Sequence, residues 1–280
     1  MVEIIIEGKK EKFDPNAIEW MQKRDFFSII NIAGNKCFIK KYVGKKPTAW
    51  DLMIALIGKE NTYMPKVHDA VFDKATKTYY VVTEYIRGVP LKDYILKGDM
   101  VPPLKVMEDL DVALTNIHTE KYWFSDFNEE NIFVTSGFKK KVLLIDIDSC
   151  WSSSLRPNHV SNEKGGLPGA AQNIGRHVLE FYNKYLPSVK SHVKYEDLPG
   201  ENFNYLQLIV LCVKLNIFQN RSSIDKTFKY IRPESFRDLE KIIHDCDSNY
   251  AKGVFMLAKD NKRVIRPSAK QLINRIINLK

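Results

Sequence analysis

Residues 124–134 read FSDFNEENIFV, and their reading decides the fold. Asp126 and Asn131 stand five apart in a short polar stretch, with Glu129 and Glu130 between them. The run Ile132-Phe133-Val134 follows and favours a strand. One reading is a turn rich in Asp and Asn between a helix and a strand. The other is chemical: a base and a metal ligand held at the mouth of a site.

The flanking sequence supports the second reading. Upstream, residues 103–120 place Val106, Leu110, Ala113, Leu114 and Ile117 at helical spacing. Downstream come the turn Ser136-Gly137 and the strand pattern VLLIDI, which brings Asp146 twenty residues after Asp126. A hairpin returns its second strand beside the first, so the end of VLLID is expected next to the loop before IFV. Three oxygen-bearing side chains then converge. Mg²⁺ takes one or two carboxylates plus substrate phosphates, which leaves the third group free to orient a nucleophile.

The first half of the chain reads as strands and one helix. FFSIINI and NKCFIKKYV flank the turn Ala33-Gly34-Asn35, a hairpin signal. Thr48 reads as the N-cap of a helix with Asp51 three residues on, running through Leu52 and Leu56 to about Gly58. VHDAVFD and TYYVVTEYI form a second hairpin across Asp73–Thr78, and Arg87–Pro90 reads as a connector. LKDYILKG is a short helix, residues 152–169 a polar surface loop, and the chain from about 170 is helical in pattern. The fold class is therefore α+β. A small β-rich lobe over 1–86 is expected to meet a larger, mostly helical lobe over 87–280. Clefts between such lobes host small-molecule sites.

Bulk properties narrow the function. The chain has 280 residues, 44% hydrophobic and 11% aromatic, which suits a globular core rather than disorder. No apolar run reaches the ~18 residues of a membrane span, and MVEIIIEGKKEKF lacks a signal-peptide pattern, so a cytoplasmic location is expected. Cys37, Cys150, Cys212 and Cys246 are too scattered for zinc or a disulfide framework. The net charge of +9 is spread over scattered lysines, with short runs such as Lys139–Lys141. That pattern fits a solvated basic surface better than a nucleic-acid groove.

These motifs together resemble the protein-kinase-like superfamily. ALTNIHTEKYWFSDFNEEN, residues 113–131, is similar to the helix and catalytic loop H-R-D-L-K-P-E-N, with Phe124-Ser125-Asp126 at H-R-D and Asn131 at the final Asn. VLLIDID resembles the strand ending in D-F-G, with Asp146 in the metal-binding place and Asp148 where the Gly would be. CFIKKY resembles V-A-I-K and puts Lys40 at the phosphate-pairing lysine; Lys41, next along the strand, faces the other way. VVTEYIRG resembles the hinge strand, with Thr83 at the gatekeeper place and Glu84 to Ile86 along the adenine edge. RPSAKQLI resembles a late helix segment, with Arg266 in the structural arginine's place. The pairing of D-F-N-x-x-N with I-D-x-D-S looks like a bacterial branch associated with helix-hairpin-helix or von Willebrand-type proteins.

The resemblance implies ATP and Mg²⁺ as cofactors and a Ser/Thr protein kinase acting on a protein hydroxyl. Asp126 and Lys40 would be catalytic. Lys40, Thr83, Glu84, Ile86, Asn131 and Asp146 would bind the nucleotide. Asn131 and Asp146 would bind the metal, with Asp148 either a second ligand or a turn residue.

Departures from the pattern keep two rivals in view. There is no G-x-G-x-x-G before FFSIINI, and Ser125 and Asn128 replace the loop's arginine and lysine. Asp51 is the nearest helix acid to pair with Lys40, Ala-Pro-Glu and the later supporting aspartate are not found, and Glu163 is the candidate partner of Arg266. His118 reads as a core histidine. The rivals are a pseudokinase serving as a nucleotide-binding or scaffold module, and a small-molecule kinase of aminoglycoside or choline type.

Overall fold

Hairpins build the first half of the molecule. The computed structural model describes residues 1–21, 26–99, 101–137 and 139–155, and the helical positions 200, 201, 204, 207, 208 and 211. Strands β1 (Val2–Ile6) and β2 (Lys9–Phe13) pair antiparallel, as do β3 (Phe27–Ile32) and β4 (Asn35–Val43). The β3–β4 turn is the pair Ala33-Gly34, at φ 51° and 83°. Two successive left-handed residues give a turn whose twist matches the strands it joins, and Gly34 adopts that backbone freely. Strands β5 (Val67–Asp73) and β6 (Thr78–Glu84) complete a four-stranded antiparallel sheet in the order β3-β4-β6-β5.

Alternation along the strands gives this sheet two buried faces. Cys37 and Ile39 of β4 join Val2, Ile4, Ile6 and Phe13 in one core, so the β1–β2 hairpin forms a lid over the outer face. The Ile5 amide donates to Asp69 Oδ2 at 2.6 Å and pins that lid to β5. Phe38 and Lys40 point the other way, toward helix α1 (Trp50–Leu56) and the rest of the molecule.

The start of α1 differs from the sequence expectation. Ala49, not Thr48, is the N-cap, and no side chain caps it. The Trp50 amide instead closes a turn on the Pro47 carbonyl at 3.1 Å. Asp51 leaves the capping role for an exposed ion pair with Lys46 at 2.9 Å.

The connector also proves to be structured. Gly88–Pro90 is strand β7, paired with β9 (Ile132–Thr135), which pairs in turn with β10 (Val142–Leu144). A Cβ on Gly88 would lie 2.6 Å from the Val134 carbonyl oxygen, so glycine is what permits the pairing. A three-residue strand holding Gly and Pro has no alternation to read. Helices α2 (Leu91–Leu96) and α3 (Pro103–Thr119) follow the expected pattern, and α3 fully buries Val106, Leu110, Ala113, Leu114 and Ile117. Two further short strands, β8 (Tyr122–Phe124) and β11 (Cys150–Ser152), pair on either side of the loop region.

The described residues are thus a mixed α+β arrangement rich in antiparallel sheet. Among them no helix is long and apolar enough to cross a membrane. Cys37 and Cys150 are buried free thiols. The helical reading beyond residue 170, most of the 152–169 loop, Cys212, Cys246, Glu163 and Arg266 lie outside the described residues. So do Gln22–Asp25, just before β3, where a Gly-rich loop would fall.

Candidate functional site

The loop that opens β9 organises itself. Asn128 Oδ1 accepts from the amides of Glu130 and Asn131 at 2.9 and 3.1 Å. Its Nδ2 donates to the Asp126 carboxylate at 2.8 Å. Asn131 Nδ2 donates to the Asp126 carbonyl and to Asp126 Oδ2, each at 2.9 Å. Asp126 is therefore held at both carboxylate oxygens by loop amides. Asn128 stands where the resemblance expects a lysine, and its amide is spent on tightening the loop. Asp and Asn side chains close such turns readily.

The β9–β10 hairpin carries the chain back to this loop. Leu144 pairs with Ile132, and the Ile145 amide donates to the Asn131 carbonyl at 2.9 Å. Asp146 follows at once, with φ 62° and ψ 35°. The left-handed region is uncommon for a residue with a Cβ, and such backbone concentrates at functional sites. It turns the chain into the 3-10 segment Ile147–Ser149, which sets Asp148 beside Asp146.

Lys40 meets both carboxylates from β4. Its Nζ bonds Asp146 Oδ1 and lies 2.7 Å from Asp148 Oδ1, while the Tyr42 hydroxyl donates to Asp148 Oδ2. The Lys40 side chain is 11% exposed, Asp148 15% and Asp146 31%. Burial alone would push the Lys40 ammonium down, but the charges of Asp148 and Asp146 outweigh it and raise its pKa. Burial, and then the Asp148 charge, push Asp146 up to about 6 against the pull of Lys40. Asp148 is buried too, yet the Lys40 charge and hydrogen bonds from Lys40 and Tyr42 hold it below the ordinary carboxylate range.

Asp51 does not reach this cluster. It is the acid of α1, and its partner is Lys46. The helix presents Met53 to the cavity instead. Lys41 lies on the other face, its Nζ 4.1 Å from the Trp20 ring centroid.

The charged cluster closes one end of a cavity of about 310 Å³. Phe38, Val81 and Phe133 line it with apolar surface, and Thr83, Glu84, Tyr85 and Ile86 run along its edge. The structure so brings Lys40, Thr83, Glu84, Ile86, Asp146 and Asp148 to one cavity. Asp126 and Asn131 stand in the neighbouring loop, close enough for the Asp126 charge to act on Asp146. Apolar walls suit a planar base, and the ammonium and carboxylates suit phosphates with a divalent cation. Among the described residues no group of three or more His, Cys, Asp or Glu side chains is placed to hold a metal unaided. A cation here would need phosphate oxygens as well, which is the habit of Mg²⁺.

One supporting residue escaped the sequence reading. Asn204, fully buried on a helical segment, donates from Nδ2 to the Phe124 carbonyl at 2.6 Å and accepts from the Phe124 amide at Oδ1 at 2.8 Å. His118 Nε2 lies 3.2 Å from the same Oδ1, so the core histidine shares this anchor. The resemblance implies an aspartate for such support; here an asparagine supplies both a donor and an acceptor to the backbone of one residue. Ser125, in the place of the missing arginine, donates to the Ser149 carbonyl and straps the loop to the segment after Asp148.

Neither a family model nor a curated protein matches the chain. Among solved structures it is similar to one described as the Rad53 kinase domain and SCD2. The TM-score is 0.52 at 14% identity, over 91% of this chain and 89% of that one. At that identity the likeness is one of fold: a protein-kinase-like fold.

Proposed function

We propose that this chain is an ATP- and Mg²⁺-dependent phosphotransferase that phosphorylates a hydroxyl, most simply a serine or threonine of a protein. In this reading residues 1–86 form an N-lobe and 87–280 a helical C-lobe, and the I-D-x-D-S wording supports the bacterial branch. The observation that carries it is the Lys40–Asp146 pair at the charged end of an apolar cavity, backed by the Asp126–Asn131 loop.

Bound Mg-ATP would supply the transferable phosphoryl group and the cation that neutralises its charge. Lys40 would hold phosphate oxygens, Asn131 and Asp146 the metal, and the Glu84–Ile86 edge the base. Phe38, Val81 and Phe133 would give the bound nucleotide apolar walls, and a low-dielectric wall strengthens charge interactions beside it. Asp126, fixed by two amides, is oriented to accept the proton of an attacking hydroxyl. Positioning and electrostatics then carry the rate.

A pseudokinase is the second reading, and the folded-back Asn128 favours it: the loop side chain that would neutralise a transferred phosphate is a neutral amide. The two readings part in one experiment. Wild type and Asp126→Ala are incubated with ATP, Mg²⁺ and a generic protein or small-molecule acceptor, and products are read by intact mass. Phosphoryl transfer by wild type, lost by ~10²-fold or more in Asp126→Ala with ATP affinity retained, supports the enzyme. ATP binding without transfer supports a nucleotide-binding pseudokinase, and no ATP binding sinks the enzyme and leaves the scaffold form of the second reading.

A further inference from the structure

We infer that Asp148 and Tyr42 are the positioning pair for Lys40, doing from the metal-binding segment and from β4 what a helix carboxylate would otherwise do, and that Asp148 is not a metal ligand. The inference rests on the reading of Lys40 as the phosphate-holding group and deepens it.

Both Asp148 oxygens are engaged. Oδ1 takes the Lys40 ammonium at 2.7 Å and Oδ2 takes the Tyr42 hydroxyl. A carboxylate satisfied at both oxygens inside the protein has little left for a cation. Asp146 differs: among the described residues one of its oxygens is so engaged, and its side chain is twice as exposed, 31% against 15%. Tyr42 lies two residues beyond Lys40 on the same strand, hence on the same face, and packs against the core beneath α1. Lysine and phenol, both carried by strand β4, thus meet on the one carboxylate.

Helix α1 takes no part in it. Its acid faces solvent beside Lys46, and Met53 occupies the cavity wall. Lys40 is therefore set in place by the same 3-10 segment that follows Asp146. In this protein the lysine and the metal-binding aspartate would move together.

Two measurements test this on the full chain. The first is the rate at which acetic anhydride labels Lys40, relative to the exposed Lys74, read by peptide mass spectrometry. The second is ATP affinity with and without Mg²⁺, by calorimetry. Asp148→Asn should speed Lys40 labelling roughly tenfold, the scale of a lost charge-assisted hydrogen bond, and leave the Mg²⁺ enhancement of ATP affinity intact. Asp146→Asn should abolish that enhancement. Tyr42→Phe should speed labelling several-fold, and Asp51→Asn should not change it.

The inference is overturned if Asp148→Asn leaves Lys40 protected, or removes the Mg²⁺ enhancement as Asp146→Asn does. If Asp148→Asn does not fold, Tyr42→Phe decides, and unchanged labelling overturns the inference. Wild type that binds no ATP would remove the proposed function, while the labelling rates would still decide whether Asp148 and Tyr42 hold Lys40.

Discussion

Asn204 grips the backbone of Phe124 at both its polar groups, taking its amide at 2.8 Å and giving to its carbonyl at 2.6 Å. Phe124 is the second residue before Asp126, so this grip sets the height of the loop above the core. Asn204→Ala would leave a buried amide and a buried carbonyl without partners, at ~1–3 kcal/mol each. We expect a fall in urea midpoint with an unchanged m-value. Asn204→Asp keeps the acceptor and loses the donor, so it should fall between the two.

Gly200 sits against the Trp123 ring, in a space that a Cβ would have to share with the ring itself. Trp123 is fully buried and its indole donates to the Leu155 carbonyl at 2.9 Å, so it cannot simply swing aside. Gly200→Ala should cost ~1–3 kcal/mol by overpacking, despite alanine's better helix propensity. Equilibrium unfolding would show it; a stabilised variant would contradict the close approach.

Asp146 carries a pH signature. Its pKa of about 6 in the folded protein, raised by burial and then by the Asp148 charge, exceeds the ~3.9 of an unfolded chain. The folded state holds this proton more tightly, so its contribution to stability is full below ~3.9 and is lost as pH rises through about 6. Asp146→Asn should therefore melt about 2 °C or more above wild type at pH 7.5 without Mg²⁺, and the gap should close at pH 4. Thermal melts at both pH values measure it.

Asp51 offers the opposite expectation. Its pair with Lys46 is exposed, and exposed pairs contribute little. Asp51→Asn should leave melting temperature and phosphoryl transfer unchanged. A loss of transfer would return Asp51 to the partnership with Lys40 that this structure denies it.

Asp126, Asn131, Asp146 and Lys40 were all legible as residue types at telling intervals, because a hairpin and a strand–loop–strand unit leave local patterns of alternation and turn chemistry. The β3–β4 and β5–β6 hairpins were legible for the same reason, and α3 from its apolar residues at helical spacing. Other features left no such trace. Gly88–Pro90 became a strand because β9 lies beside it, and three residues with Gly and Pro show no period. Thr48 lost the cap to a backbone turn on Pro47, and Asp51 went to Lys46, since capping propensity is a small preference that a nearby charge can redirect.

What the sequence by itself determined was the chemistry on offer: an Asp–Asn loop, a lysine on a strand, a D-x-D after a strand, and apolar spacing enough to bury them in an α+β core. That both carboxylates would meet Lys40, and that Asp148 would also take the Tyr42 hydroxyl, was decided by the tertiary structure alone. Asp146 and Asp148 differ by two positions and share a residue type, and the difference between them arises from one left-handed residue and a 3-10 turn. That backbone carries Asp148 inward to Tyr42 and Lys40 and leaves Asp146 nearer the cavity mouth. The same holds for Asn204, 80 residues from the residue it anchors. Contacts between distant segments depend on where the whole chain packs, and no local pattern encodes them.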